Sequence, residues 1–165
     1  MERKELTREL AAIKALVPSN GMMTCPVIFS NNALLQDVNV RFTVIDALVE
    51  LAESCFPAEN DAKMIVAVNP NAAAWGALVA MRYWHELPFV YGTKFDGVKS
   101  GASIVVIDSF LLSGKSCLSN VNVLKKRGFN VKVVAISATS QAERLFAVEG
   151  VPLKVVLREK DVLSL

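Results

Sequence analysis

Histidine is almost absent from this chain. His85 is the only one in 165 residues, which excludes a multi-histidine metal site. Cysteine is scarce as well: Cys25, Cys55 and Cys117 show no CxxC spacing, and each sits among apolar neighbours. That pattern fits buried free thiols in a reducing cytoplasm, not a disulfide or zinc framework. An excess of one charge is missing too. With 18 basic and 16 acidic residues the net charge is +2, too little to argue for nucleic acid as a partner. No apolar run approaches the roughly 20 residues of a membrane-crossing helix. The opening Met-Glu-Arg-Lys-Glu is too charged for a signal peptide, so no membrane association and a cytoplasmic location are expected. Repeats, linkers and low-complexity stretches are also lacking, and a single domain over 1–165 is expected.

Apolar residues, by contrast, make up 53% of the chain, enough for a large core. Leu6, Leu10, Ile13 and Leu16 recur at helical spacing ahead of Pro18. Pro26-Val27-Ile28-Phe29 reads as a short strand. Leu34-Leu35-Gln36-Asp37 leads into a longer helix with Val40, Val44, Ile45, Leu48, Leu51 and Cys55 on one face, stopped by Pro57. Met64 to Val68 is a buried strand, and Asn69-Pro70-Asn71 turns the chain into a helix over about 72–86. Pro88 to Tyr91 is a further strand, followed by a polar turn from Gly92 to Gly101. After the Ile104–Ile107 strand come a helix closed by Lys125-Lys126-Arg127 and Gly128, the strand Val131–Ser137, a short helix near Gln141–Val148 and the strand Leu153–Leu157. Uniformly apolar strands alternating with helices specify an α/β fold, a parallel sheet with helices on both faces. Ligands of such sheets bind at the carboxyl ends of the strands. Asp108 and its loop, the Asn69–Ala74 turn and the Ala138–Ser140 turn all fall there.

The organising stretch is Ile104-Val105-Val106-Ile107-Asp108-Ser109, then Phe110-Leu111-Leu112-Ser113-Gly114-Lys115-Ser116. A buried strand ends in an acid, and a small-residue loop opens a helix, a geometry that aims backbone N–H groups at an anion. A Walker-type loop also ends Gly-Lys-Ser but needs a glycine where Ser109 stands, and the bulky Phe110-Leu111-Leu112 resists wrapping a triphosphate. The stretch instead resembles the phosphoribosyl pyrophosphate (PRPP) signature of type I phosphoribosyltransferases. That signature is an apolar run, two adjacent acids, two apolar residues and a small-residue loop closing on Ser or Thr. The closest resemblance is to orotate phosphoribosyltransferases. Pro26 to Phe29 with Leu34-Leu35 and the helix through Leu51 is similar to their opening segment, Met64–Val68 with its loop and helix to their pyrophosphate-loop unit, and Pro88 to Lys94 to the strand that delivers an Arg-Lys pair.

The resemblance implies a Rossmann-like sheet over about 36–165 and a small N-terminal hood over about 1–35. It also implies a homodimer and a ligand that is PRPP or a nucleotide, with Mg2+ as a possible companion of PRPP. The implied phosphate-binding residues are Leu112, Ser113, Gly114, Lys115 and Ser116. Asp108 and Ser109 would hold the ribose, Asn69, Asn71, Ala72 and Ala73 the pyrophosphate, and Asp108 with Lys94 would serve catalysis. Each has a plainer reading. Asp108 caps a turn, Ser113 and Ser116 are N-caps, Lys94 and Lys115 are solvated lysines, Trp75 and Trp84 pack, and His85 lies on the surface.

The signature is degraded where chemistry is concerned. Ser109 replaces the second acid, Thr93 the arginine, Asn71-Ala72-Ala73-Ala74 a glycine-bearing loop, and Phe95 to Gly101 is too short for the family's long mobile loop. These departures favour a protein that binds a ribose 5-phosphate with catalysis weak or lost, in a sensor, regulatory or partner role. The alternative is a working orotate-type transferase using PRPP and magnesium. Gly114→Val is expected to abolish binding and leave the fold intact.

Overall fold

The computed structural model describes residues 3–18, 27–56, 62–83 and 87–164. Along the chain run α1 (Arg3–Ala12), β1 (Leu16–Pro18), β2 (Val27–Phe29), α2 (Asn31–Gln36), α3 (Val38–Glu53), β3 (Lys63–Ala67) and α4 (Pro70–Arg82). There follow β4 (Phe89–Tyr91), β5 (Ser103–Leu111), α5 (Lys115–Lys126), β6 (Asn130–Ala138), α6 (Ser140–Val148), β7 (Leu153–Arg158) and α7 (Glu159–Leu163). The main sheet has five strands in the order β4-β3-β5-β6-β7, and every pairing in it is parallel.

The apolar runs form this sheet because they are wet on neither face. Successive side chains of a strand point to opposite sides. Val105 and Ile107 accordingly enter one core with Val44, Leu48, Trp75 and Val79 of α3 and α4. Ile104 and Val106 enter the other with Cys117, Val121 and Leu124 of α5 and Ala142 and Phe146 of α6. Lys132 of β6 and Lys154 of β7 donate to the carbonyls of Cys55 and Ser54 just past α3, a favourable placement of cations at a helix C-terminus.

The hood is built around a second sheet, β1 antiparallel to β2, with Leu16 opposite Phe29. Leu6, Leu10, Leu16 and Leu34 from it and Val162 of α7 belong to the same cluster as the α3–α4 face of the main sheet. Two anchors tie it toward the carboxyl rim. The Phe29 ring stacks on Phe110 of β5 at 5.4 Å and 8°, and Trp75 donates its indole N–H to Asn31 Oδ1 at 2.6 Å.

Several boundaries differ from the sequence expectation. Leu16 lies in β1, not on the first helix, because Lys14 turns left-handed (φ 56) and Ala15 bonds back to Leu10. Its burial is unchanged at 0% exposure. Leu34 and Leu35 occupy a short helix of their own: Asp37 is extended, and its carboxylate caps a fresh start by accepting from Val40 N at 3.0 Å. Cys55 lies just beyond α3, still buried. The helix expected from about 72 begins at Pro70, and α7 and β1 were not anticipated. Cys25, Pro57, Trp84 and His85 lie outside the described residues.

Candidate functional site

The β5–α5 junction is built by one glycine. Gly114 has φ +72, and a Cβ placed on it would stand 2.8 Å from Cε2 of the buried Phe146. Only glycine combines that backbone with that approach. The residue is the N-cap of α5 and brings no side chain to cap it. Ser113 Oγ accepts from Lys115 N at a weak 3.5 Å. Free N–H groups of the first turn of a 12-residue helix therefore face outward with the positive end of its dipole. The loop is held from the other side by Thr139, whose N–H bonds to the Leu111 carbonyl at 3.0 Å and whose hydroxyl donates to the Leu112 carbonyl.

A recess of about 250 Å³ opens here. Leu112, Ser113, Gly114 and Ser116 line it from the loop and helix, and Phe110 and Leu111 from β5. Asn69, Asp108 and Cys117 complete the lining. Four of the five expected phosphate-binding residues are thus brought together. Lys115 is exposed and is not among the lining side chains.

Asp108 is not a strand-end acid, as its sequence context suggests. β5 continues to Leu111, in register with Ala138 of β6, because Phe110 and Leu111 each find an apolar site. The carboxyl is therefore part of the sheet and 2% exposed. Its Oδ1 accepts from Asn69 Nδ2 at 2.7 Å and from Ser109 N at 2.7 Å. The nearby Cys117 thiol and Phe110 N–H also favour the charged form of the carboxyl. Burial nevertheless pushes Asp108 above the usual carboxylate range, outweighing those donors. The Cys117 thiol is pushed far up as well, first by burial and then by the Asp108 charge. Ser109 is 4% exposed and does not line the recess. Alternation along the strand turns it to the opposite face from Asp108.

The residues of the expected pyrophosphate loop form a helix start. Asn69 caps α4 by accepting from Ala72 N at 2.9 Å, and Pro70 occupies the first turn. Asn71, Ala72 and Ala73 are therefore helical, and Ala72 is fully buried. Of that group only Asn69 lines the recess.

Lys94 is not brought to the recess. Arg127, at the far end of α5, donates to the carbonyls of Thr93 and Phe95 on either side of it. The Arg127 guanidinium lies 4.6 Å over the Phe95 ring, which stacks on Phe129 at 5.6 Å. Twelve residues of helix separate the two ends of α5 by about 18 Å at 1.5 Å per residue. Sequence reasoning missed Phe110, Leu111 and Cys117 as lining residues. A signal existed for Cys117, which shares an inward helical face with Val121 and lies in the first turn after the loop.

The residues do not fit the divalent cation that the resemblance implies. Among the described residues Asp108 is the one carboxylate lining the recess, and no group of three His, Cys, Asp or Glu side chains is arranged to hold an ion. Hard cations need several free oxygen ligands, and one of the two Asp108 oxygens, Oδ1, already accepts from Asn69 and Ser109.

No family model matches the chain. A curated relative, the orotate phosphoribosyltransferase of Bacillus caldolyticus, is 31% identical over 148 residues, covering 81% of this chain and 68% of the relative. Among solved structures, the orotate phosphoribosyltransferase of Aeropyrum pernix is similar at TM-score 0.76 and 21% identity over 96% of each chain. The Mycobacterium tuberculosis enzyme crystallised with 5-phospho-α-D-ribosyl 1-diphosphate is similar at TM-score 0.70 and 16% identity, over 97% of this chain and 98% of that one. The solved structures share the fold. With the extent of the curated match added, the chain belongs to the type I phosphoribosyltransferase family, among its orotate phosphoribosyltransferase-like members.

Proposed function

We propose that the protein is an orotate-type phosphoribosyltransferase that seats the 5-phosphate of PRPP, or of the product nucleotide, on Leu112–Ser116. The observation that carries the phosphate seat is the uncapped N-terminus of α5 opening onto the recess at Gly114. The relationship to the Bacillus caldolyticus enzyme supports the reaction, transfer of the phosphoribosyl group to orotate with release of pyrophosphate. It outweighs the binding-only reading that the sequence departures favour by themselves. Magnesium belongs to this proposal as an ion carried by the diphosphate oxygens and water. A single domain, a homodimer and a cytoplasmic location are part of the same proposal.

A second reading, nucleotide binding with little turnover in a sensor or partner role, is favoured by one specific observation. The one acid that lines the recess among the described residues, Asp108, is buried in the sheet with its Oδ1 held by Asn69 and Ser109. Pyrophosphate release from PRPP, orotate and magnesium separates the two. Turnover above the uncatalysed background is expected, and tight nucleotide binding without it would leave the second reading.

Ser116→Asp tests the seat. Gly114→Val is less suitable than the sequence implies, since a side chain there meets Phe146 and strains the backbone. An acid at the exposed position 116 stabilises the helix start by about 0.3–1 kcal/mol while repelling a phosphate. The expected result is an unchanged or raised Tm with nucleotide affinity lowered about ten-fold, one like-charge contact's worth near a partly buried site. Unaltered affinity would move the seat elsewhere.

A further inference from the structure

We infer that Asn69 is a positioning residue for the sugar of the ligand: by holding Asp108 through Oδ1, its amide makes Oδ2 the oxygen that accepts from a ribose hydroxyl. The inference rests on the phosphate seat proposed above and adds the residue that aims the acid beside it.

Asn69 and Asp108 stand at the rim on neighbouring strands. The β3–β5 register runs to Ala67 opposite Ile107, so Asn69 lies two residues and Asp108 one residue beyond the last pair. Both line the recess. Asp108 is the one carboxylate that does so among the described residues, and at 2% exposure it offers a ligand little of its surface. Which oxygen is offered therefore depends on the rotation of the carboxyl about its last bond, a torsion that is broad when nothing restrains it. Here two donors meet at one oxygen: Asn69 Nδ2 and Ser109 N each lie 2.7 Å from Oδ1. The Ser109 bond comes from the adjacent residue of the same strand. The Asn69 bond comes from the end of another strand, and it is the one a substitution can remove.

Of the residues that cap helices, asparagine alone suits this place. Its Oδ1 accepts from Ala72 N at 2.9 Å and starts α4, which leaves the NH2 group to face Asp108. Serine and threonine cap as well but carry no amide donor, and aspartate would set a second carboxylate against the first. The same bond keeps the acid a strong acceptor. Among the groups that favour its charged form against burial, the Asn69 amide contributes most. Loss of that donor frees the carboxyl to turn and draws it toward its protonated form, and on both counts a sugar hydroxyl loses its partner.

Calorimetric titration of the full chain with ribose 5-phosphate and with inorganic phosphate, without magnesium, tests the inference in Asn69→Ser, Asp108→Asn and the double variant. Serine keeps the α4 cap, so the Tm of Asn69→Ser is expected to stay close to that of the unsubstituted protein. Its affinity for ribose 5-phosphate is expected to fall about ten-fold, the size of one charge-assisted hydrogen bond, with inorganic phosphate unchanged within about two-fold. In the Asp108→Asn background the same substitution is expected to cost nothing further, because the acid it aims is gone. A loss that persists in that background, or that falls equally on inorganic phosphate, would reduce Asn69 to a helix cap and overturn the inference. Unchanged or tighter binding of ribose 5-phosphate by Asn69→Ser would overturn it too. In each of these cases the unsubstituted protein still binds inorganic phosphate and the seat stands. Failure of the unsubstituted protein to bind either phosphate would instead overturn the seat and the inference together. Asn69→Thr, whose branched side chain suits the extended backbone there (φ −134, ψ 154), is a second variant with the same expected outcomes.

Discussion

Asp108 stands on β5 where the loss of water and the nearby Asn69, Ser109, Cys117 and Phe110 act in opposite directions on its carboxyl, and burial prevails. The consequence for stability follows from linkage. An acid whose folded pKa is raised above its ordinary value of 3.8 binds its proton more tightly in the folded state. Its contribution is fully present below that ordinary value and is lost as pH rises through the raised one. Asp108→Asn cannot titrate. The stability of the unsubstituted protein relative to this variant is therefore expected to fall as pH rises from 3.8 through the raised folded pKa. Urea midpoints of both proteins at a series of pH values check this, and a relative stability that climbs over the same interval would mean that the donors outweigh burial. Gly114 shows the same dependence on surroundings. Its left-handed backbone is set locally, but the reason no side chain fits is Phe146, thirty-two residues along the chain.

Among the elements, α5 carries the site at one end and a clamp at the other. Its N-terminus has no side-chain cap and opens onto the recess. Beyond its C-terminus Arg127 binds the carbonyls of Thr93 and Phe95 and stacks over Phe95 and Phe129. The connection from β4 to β5 is thereby fastened to the helix. Arg127→Ala is expected to cost about 1–2 kcal/mol, from partly exposed charge-assisted hydrogen bonds and a cation–π contact. Hydrogen exchange should quicken over 93–99 while 112–116 keeps its protection. Exchange that quickens equally at both ends would show α5 loosening as a unit. The α4 start was legible in Asn69-Pro70, a cap followed by a proline suited to the first turn. That Asn71, Ala72 and Ala73 already belong to the helix was not legible, because a short polar turn and a capped helix begin with the same residues.

At the scale of the whole molecule the hood and the sheet share one core, in which Leu6, Leu10 and Leu16 meet Val44, Leu48, Ile107 and Val162. The outer surfaces of α3 and α4 carry exposed apolar residues, with Val38 at 52%, Phe42 at 51% and Met81 at 75% exposure. Such surface in a small protein is consistent with a subunit contact. Sedimentation at micromolar concentration is expected to give the mass of a homodimer, and a monomer at that concentration would sink this part of the proposal.

The sequence by itself determined the alternation of strands and helices, the parallel sheet buried on both faces, and the loop at Ser113–Ser116. Each of these rests on short-range physics: an apolar run of strand length, a helical period, and a glycine or proline that sets the backbone. Only the tertiary structure decided what the acid and the lysine are available for. Asp108 is engaged by Asn69, thirty-nine residues away in the chain, and Thr93 and Phe95, either side of Lys94, are tied to Arg127 across 34 and 32 residues. The pairing of β1 with β2 likewise depends on Leu16 meeting Phe29, thirteen residues along the chain. A side chain's type is written in the sequence, but its free lone pairs and its neighbours exist only once distant segments have packed against it.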